Sequence, residues 1–185
     1  MNYLRWPLLL PIVAMAVIVT ASNFAVQFPI KAFGLADYLT WGAFTYPFSF
    51  FVNELTNRRF GPAAARQVVY AGFVVAIVLS ALVATPRIAV ASGTAFLVAQ
   101  LFDVFVFDWL RRQTWWRAPF LSAAGGSAVD TAVFFSLAFA GTPVPWVSLG
   151  ITDFFVKLGF AAALVGPFGY LRRMVPTFEE VENRA

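Results

Sequence analysis

The sequence has no cysteine, no histidine and little charge, with 13 Lys and Arg and nine Asp and Glu in 185 residues. Without Cys or His there is no thiolate nucleophile, no Ser-His-Asp relay, no haem or iron–sulfur ligation and no ordinary zinc site. No metal or cofactor is therefore expected. Disulfides are excluded too, so cysteine usage says nothing about redox compartment. The shortage of charge excludes more. Soluble domains are about 25% charged and about 45–50% apolar, whereas this chain is 12% charged and 61% hydrophobic. Such a surface cannot face water throughout, and the excess apolar area belongs in lipid.

Runs of about 20 predominantly apolar residues mark membrane-spanning helices. Six candidates occur, at 7–28, 38–53, 66–85, 88–110, 118–140 and 148–171. The expected fold is an all-α integral membrane protein, a single domain over 1–185 with six transmembrane helices. The second run is short and reads as tilted, broken or re-entrant. Pro86 and Arg87 separate the third run from the fourth, and Gly141, Pro143 and Pro145 form a tight turn before the sixth.

The cations alternate between sides. Arg5 precedes the first run, Arg58 and Arg59 fall between the second and third, and Arg66 is the first residue of the third. Arg111, Arg112 and Arg117 follow the fourth, and Arg172, Arg173 and Arg184 follow the sixth. The opposite side carries only Lys31 and Arg87, while Lys157 lies inside the sixth run. The positive-inside rule predicts that both termini are cytoplasmic. The net charge of +4 thus reports orientation and gives no support for nucleic-acid binding. All six Trp lie near span ends, as interfacial aromatics do. Arg5, the apolar stretch and Ala21-Ser22 also suit a cleavable signal peptide. Continuation of the stretch through Phe24, Val26 and Phe28 favours a spanning helix.

Small residues recur four apart, as in Gly72, Ala76, Ser80 and in Ala124, Ala128, Ala132. They let helix backbones approach closely in lipid. Packing within one bundle is the first reading of these stripes and a homodimer interface the second.

Ionisable side chains inside spans are costly, so each is a functional candidate. Ser127, Asp130 and Thr131 share one face of the fifth span. Asp130 lies roughly 18 Å into that span at the helical rise, near the midplane. Gln100 and Asp103 share a face of the fourth span, whereas Asp108 reads as an interfacial partner of Arg111 and Arg112. Asp153 and Lys157 are four apart on the sixth, a spacing that suits a self-neutralising pair. Asn23 and Gln27 end the first span. Trp41, Thr45 and Tyr46 open the second, and Asn53 and Glu54 close it near the inner interface. Amides, carboxylates and rings pointing into one small bundle suit a flat, polar, aromatic solute.

These residues carry a resemblance. The stretches SNFAVQ (22–27), TWGAFTYPFSFFVNELTNRRFG (40–61), RIAVASGTAFLVAQLFDVFVF (87–107) and GSAVDTAVFF (126–135), followed by Asp153 and Lys157, resemble the queuosine precursor transporters of the vitamin uptake transporter family. The resemblance implies a bacterial inner-membrane protein of six helices, with a fold similar to the substrate-binding subunits of energy-coupling-factor transporters. It implies uptake of 7-cyano-7-deazaguanine or related deazaguanines for queuosine in tRNA. The residues it implicates are Asn23, Gln27, Tyr46-Pro47, Glu54, Arg87, Gln100, Asp103, Asp130, Thr131, Asp153 and Lys157, with Glu54 and Arg87 in gating or structural roles. Glu54 stands where relatives often have Asp.

A deazaguanine fits the residues. Its pyrimidine edge offers an N–H and an exocyclic amine to a carboxylate, and a carbonyl to an amide or Lys. Asp130 or Asp103 is expected on the donor edge and Asn23, Gln27 or Gln100 on the carbonyl. Trp41, Tyr46 or a Phe would stack on the ring. The sequence has no G-x-x-x-x-G-K-[ST] loop, so ATP coupling would require other subunits. That makes a substrate-binding subunit of an energy-coupling-factor transporter the second reading. An intramembrane aspartyl enzyme, with Asp103 and Asp130 sharing a proton, is the reading from another class.

Overall fold

The computed structural model describes residues 8–25, 28, 30, 39, 41–83 and 85–182. The described residues form helices and turns with no strand. The helices are α1 (Leu9–Ala25), α2 (Gly42–Thr45), α3 (Pro47–Val83), α4 (Pro86–Leu110), α5 (Arg117–Phe139), α6 (Trp146–Leu171) and a short α7 (Phe178–Glu182). Four stretches are long and apolar enough to cross a membrane, the first running from Gly42 to Leu82. The large side chains facing outward are apolar, among them Leu10, Leu82, Phe105 and Trp109. This is the surface of an all-α membrane protein, in agreement with the composition.

The boundaries follow local chemistry. Pro47 has no amide hydrogen to give an α-helical bond, so the helical run breaks at Tyr46 and restarts with Pro47 in a first turn. At the start of α4 the Thr85 hydroxyl accepts from the Ile88 amide at 3.4 Å, with Pro86 in the first position.

Helix α3 is two helices. At Gly61 the backbone takes φ 81° and ψ 172°, a region open in practice only to glycine, and Pro62 starts the next helix. Contacts to α4 show that the chain reverses there. In the first arm (47–60), Asn53 donates to the Gln100 carbonyl at 3.1 Å and Asn57 to the Val104 carbonyl at 3.0 Å, so this arm runs parallel to α4. In the second arm (62–83), Gly72 lies against Phe96 while Ile77 lies against Gly93, so it runs antiparallel.

The expected loop between the second and third runs, 54–65, is therefore absent. Its polar residues are helical because they face inward: Glu54, Thr56 and Asn57 are all buried. Glu54 is 3% exposed and lies one helical turn before Arg58.

The remaining helices alternate in direction. Asn23 on α1 meets Ser80, and Met15 meets Gly72, so α1 is parallel to the second arm. Phe102 packs on Gly125, and Arg87 reaches Leu137 and Ala140, so α5 is antiparallel to α4. Asp153 bonds Thr131 while Trp115 touches Gly169, so α6 runs against α5. Close approach is built from small residues, as expected: a Cβ on Gly126 would stand 2.6 Å from Phe50 Cε1. Among the described cations, Arg58, Arg59, Arg66, Arg111, Arg112, Arg117, Arg172 and Arg173 lie at one end of the bundle and Arg87 at the other.

Candidate functional site

The half of the bundle away from the arginine-rich end encloses a cavity of about 410 Å³. Its walls come from the last turns of α1, of the second arm and of α5, and from the first turns of α2, α4 and α6. Phe96, Phe134, Phe135 and Phe139 supply aromatic surface, and Ser22, Asn23, Ser80 and Ser92 a polar strip. Tyr46, Asp130, Asp153 and Lys157 form the polar floor.

The floor is one connected network. Lys157 Nζ lies 2.7 Å from Asp130 Oδ2 and 2.5 Å from Asp153 Oδ2. The Tyr46 hydroxyl donates to Asp130 Oδ1 at 2.8 Å, and Thr131 donates to Asp153 Oδ2 at 3.0 Å. The ammonium also stands 5.1 Å from the centre of the Tyr46 ring, within cation–π range. Two carboxylates share one cation, which leaves a formal negative charge on the floor. Both oxygens of Asp130 are engaged within the protein. Asp153 has one engaged oxygen and the more exposed side chain, 16% against 9%. Asp153 Oδ1 is therefore the freer acceptor on the cavity floor. On the polar strip, Asn23 donates to the Val19 carbonyl at 3.0 Å and accepts from Ser80 Oγ at 3.1 Å.

A second polar group lies deeper, toward the arginine-rich end. Gln100 donates to Ser49 Oγ at 2.7 Å, Asn53 donates to Asp103 Oδ2 at 2.9 Å, and Ser122 donates to Glu54 Oε1 at 3.2 Å. All are buried, and none of these six residues lines the cavity.

Comparison with known proteins decides what kind of molecule this is. The family described as "Putative vitamin uptake transporter" matches residues 40–85 and 79–172. A "Probable queuosine precursor transporter" of Haemophilus influenzae is 37% identical over 81% of this chain and 79% of its own length.

The chain belongs to this transporter family.

The "Queuosine precursor transporter" of Escherichia coli K12 is 31% identical, over 85% of this chain and 83% of its own. A "Probable queuosine precursor transporter" of Bacillus subtilis is 28% identical, over 85% and 81% respectively. No solved structure matches the chain. The protein is a multi-pass membrane transporter for a small molecule, not an enzyme.

Within the transporter, the residues singled out in the sequence divide into groups. Asn23, Tyr46, Asp130, Asp153 and Lys157 meet at the cavity, and Thr131 supports Asp153 from behind. The pair of Asp153 and Lys157 does form, but within a larger set that includes Asp130. Gln100, Asp103 and Glu54 belong to the deeper group. Asp103 and Asp130 have separate partners, so no proton-sharing dyad forms. Trp41 is 54% exposed and packs on Phe44 at 5.7 Å, away from the cavity. Arg87 donates to the carbonyls of Leu137 at 2.9 Å and Ala140 at 2.6 Å, tying the start of α4 to the end of α5. Asp108 pairs with Arg111 as expected, but Arg112 pairs with Glu179 instead. Gln27 lies outside the described residues. Ser80 and the phenylalanines near the end of α5 are cavity residues that the sequence did not mark as such. Ser80 appeared there only as one of a row of small packing residues.

Proposed function

We propose that the protein imports a queuosine precursor, a deazaguanine such as 7-cyano-7-deazaguanine, across the bacterial inner membrane. Three relatives with that role in their names support this reading. So does the cavity, whose volume lies in the range of small-molecule sites.

The observation that carries it is the pairing of Asp153 and Lys157 on a floor faced by aromatic rings. A deazaguanine presents two adjacent donors, an acceptor carbonyl and a flat π-face. The freer oxygen of Asp153 accepts from the donor edge, Lys157 serves the carbonyl, and the phenylalanines of α5 cover the ring. Asp130 and Tyr46 hold the ammonium in position.

The antiparallel arrangement supports six passes. The arginine-rich end supports an orientation with both termini in the cytoplasm and the cavity toward the outside. Solute then enters from the side on which it arrives. The test is uptake in cells unable to make the precursor, read as queuosine in tRNA. Asp153→Asn and Lys157→Gln at equal membrane levels are expected to abolish it. Full uptake by both would remove the proposed contacts, and no uptake by the unaltered protein would remove the substrate.

A further inference from the structure

The deeper polar group has a property that the cavity floor lacks, for it is rich in acceptors and its donors are already used. Both hydrogens of the Asn53 amide are engaged, on the Gln100 carbonyl and on Asp103 Oδ2. Turning that amide over would set its oxygen against two acceptors, so the neighbours fix its orientation. Gln100 donates to Ser49, and Ser122 gives its hydrogen to Glu54. What remains unpaired within the group is Asn53 Oδ1, Gln100 Oε1 and Asp103 Oδ1, and beside it the Ser127 hydroxyl, each on a residue at most 1% exposed. Buried acceptors without donors are costly and rare.

The charge is unbalanced as well. Asp103 and Glu54 are 1% and 3% exposed, and among the described residues neither forms an ion pair. Ser122 lies between them, bonded to Glu54 and facing Asp103. Two carboxylates cannot stay ionised at this depth without a compensating cation. The elements around them supply none at that level. The first arm contributes Glu54, α4 contributes Asp103, and α5 contributes Ser122 and Ser127. Lys157 of α6 is committed to Asp130 and Asp153.

We infer that Asp103 and Glu54, with the Asn53 and Gln100 side-chain oxygens, form a second site that binds a monovalent cation, a proton or Na⁺, and couples its entry to solute movement. Carboxylate, amide and hydroxyl oxygens are hard ligands that suit either ion. The position suits coupling. The group begins one turn below Tyr46, and Glu54 lies about 12 Å from Tyr46 along the first arm at the helical rise. Ser49 links the two levels, accepting from Gln100 and donating to the Tyr46 carbonyl at 2.7 Å. The binding half of this inference stands on the geometry alone, and the coupling half rests on the transport reading above.

Two measurements on the full chain test it. With purified protein, infrared difference spectra between acid and alkaline pH report buried carboxyl protons, and melting in NaCl against choline chloride reports Na⁺. A titrating carboxyl band lost in Asp103→Asn or Glu54→Gln identifies the proton. Na⁺-specific stabilisation lost in the same variants identifies sodium. Neither signal, or signals unchanged in both variants, overturns the site. In proteoliposomes, whichever variant folds is expected to keep solute counterflow while its accumulation ratio falls to one. Accumulation retained in both variants overturns the coupling. If the unaltered protein moves no deazaguanine, the substrate assignment fails while the binding result stands.

Discussion

Lys157 on α6 reaches across to Asp130 on α5, with 2.7 Å between Nζ and Oδ2, and this ion pair joins two helices that are also linked by the hydrogen bond from Thr131 to Asp153. Lys157→Met is expected to leave the buried Asp130 and the half-buried Asp153 without their cation. The cost of removing one member of a buried pair is about 3–5 kcal/mol. Thermal unfolding in detergent should show it. The double variant Lys157→Met with Asp130→Asn should recover part of the stability and none of the uptake. Equal melting of the single variant and the unaltered protein would refute the pairing.

Tyr46→Phe removes one hydroxyl, 2.8 Å from Asp130, and keeps the ring. A hydrogen bond to a charged group contributes about 1.5–3 kcal/mol. The expected result is a folded protein with weaker deazaguanine binding, because Asp130 then holds Lys157 less firmly. Titration calorimetry on the purified variant measures it, and unchanged affinity would count against a positioning role.

Gly61→Ala tests the reversal in α3. At φ 81° and ψ 172° a side chain is strained whatever space surrounds it, and a Cβ there would meet Phe178 only at an ordinary 3.5 Å. Backbone strain of this kind costs about 1–3 kcal/mol. The melting temperature should fall, and Phe178→Ala should not rescue it. Rescue would show that contact, not conformation, limits this position.

Gly126→Ala tests the opposite case, in which space is the limit. The added methyl would overlap Phe50, and overpacking of this kind costs about 1–3 kcal/mol. Here the second change, Phe50→Leu, should restore stability. A neutral Gly126→Ala would mean that the α3–α5 contact is looser than described.

Much of the site was legible in the chain because helical spacing is a local property. The pair at 153 and 157 follows from counting along one helix. The contact between Asp130 and Lys157 does not, since it depends on the register between helices, which no single span encodes. The same limit hid the role of Ser80, whose size marks it for packing and whose hydroxyl acts only because Asn23 is opposite. The run from Asn53 to Arg59 misled for another reason. Hydropathy treats polar residues as facing water, whereas Glu54 and Asn57 face the interior and Asn57 bonds Arg111. A polar stretch facing inward within a helix reads, in one dimension, like a loop.

The hairpin at Gly61 also bears on the direction of the helices that follow it. Judged by length alone, residues 42–82 would count as a single crossing, and an odd total would send the two ends of the bundle to opposite faces. One residue with a positive φ reverses the chain without adding a long loop. The start of α1 and the end of α6 consequently emerge at the same end of the molecule. The end of the bundle at which α6 finishes, relative to the start of α1, is thus set by a glycine more than a hundred residues before it.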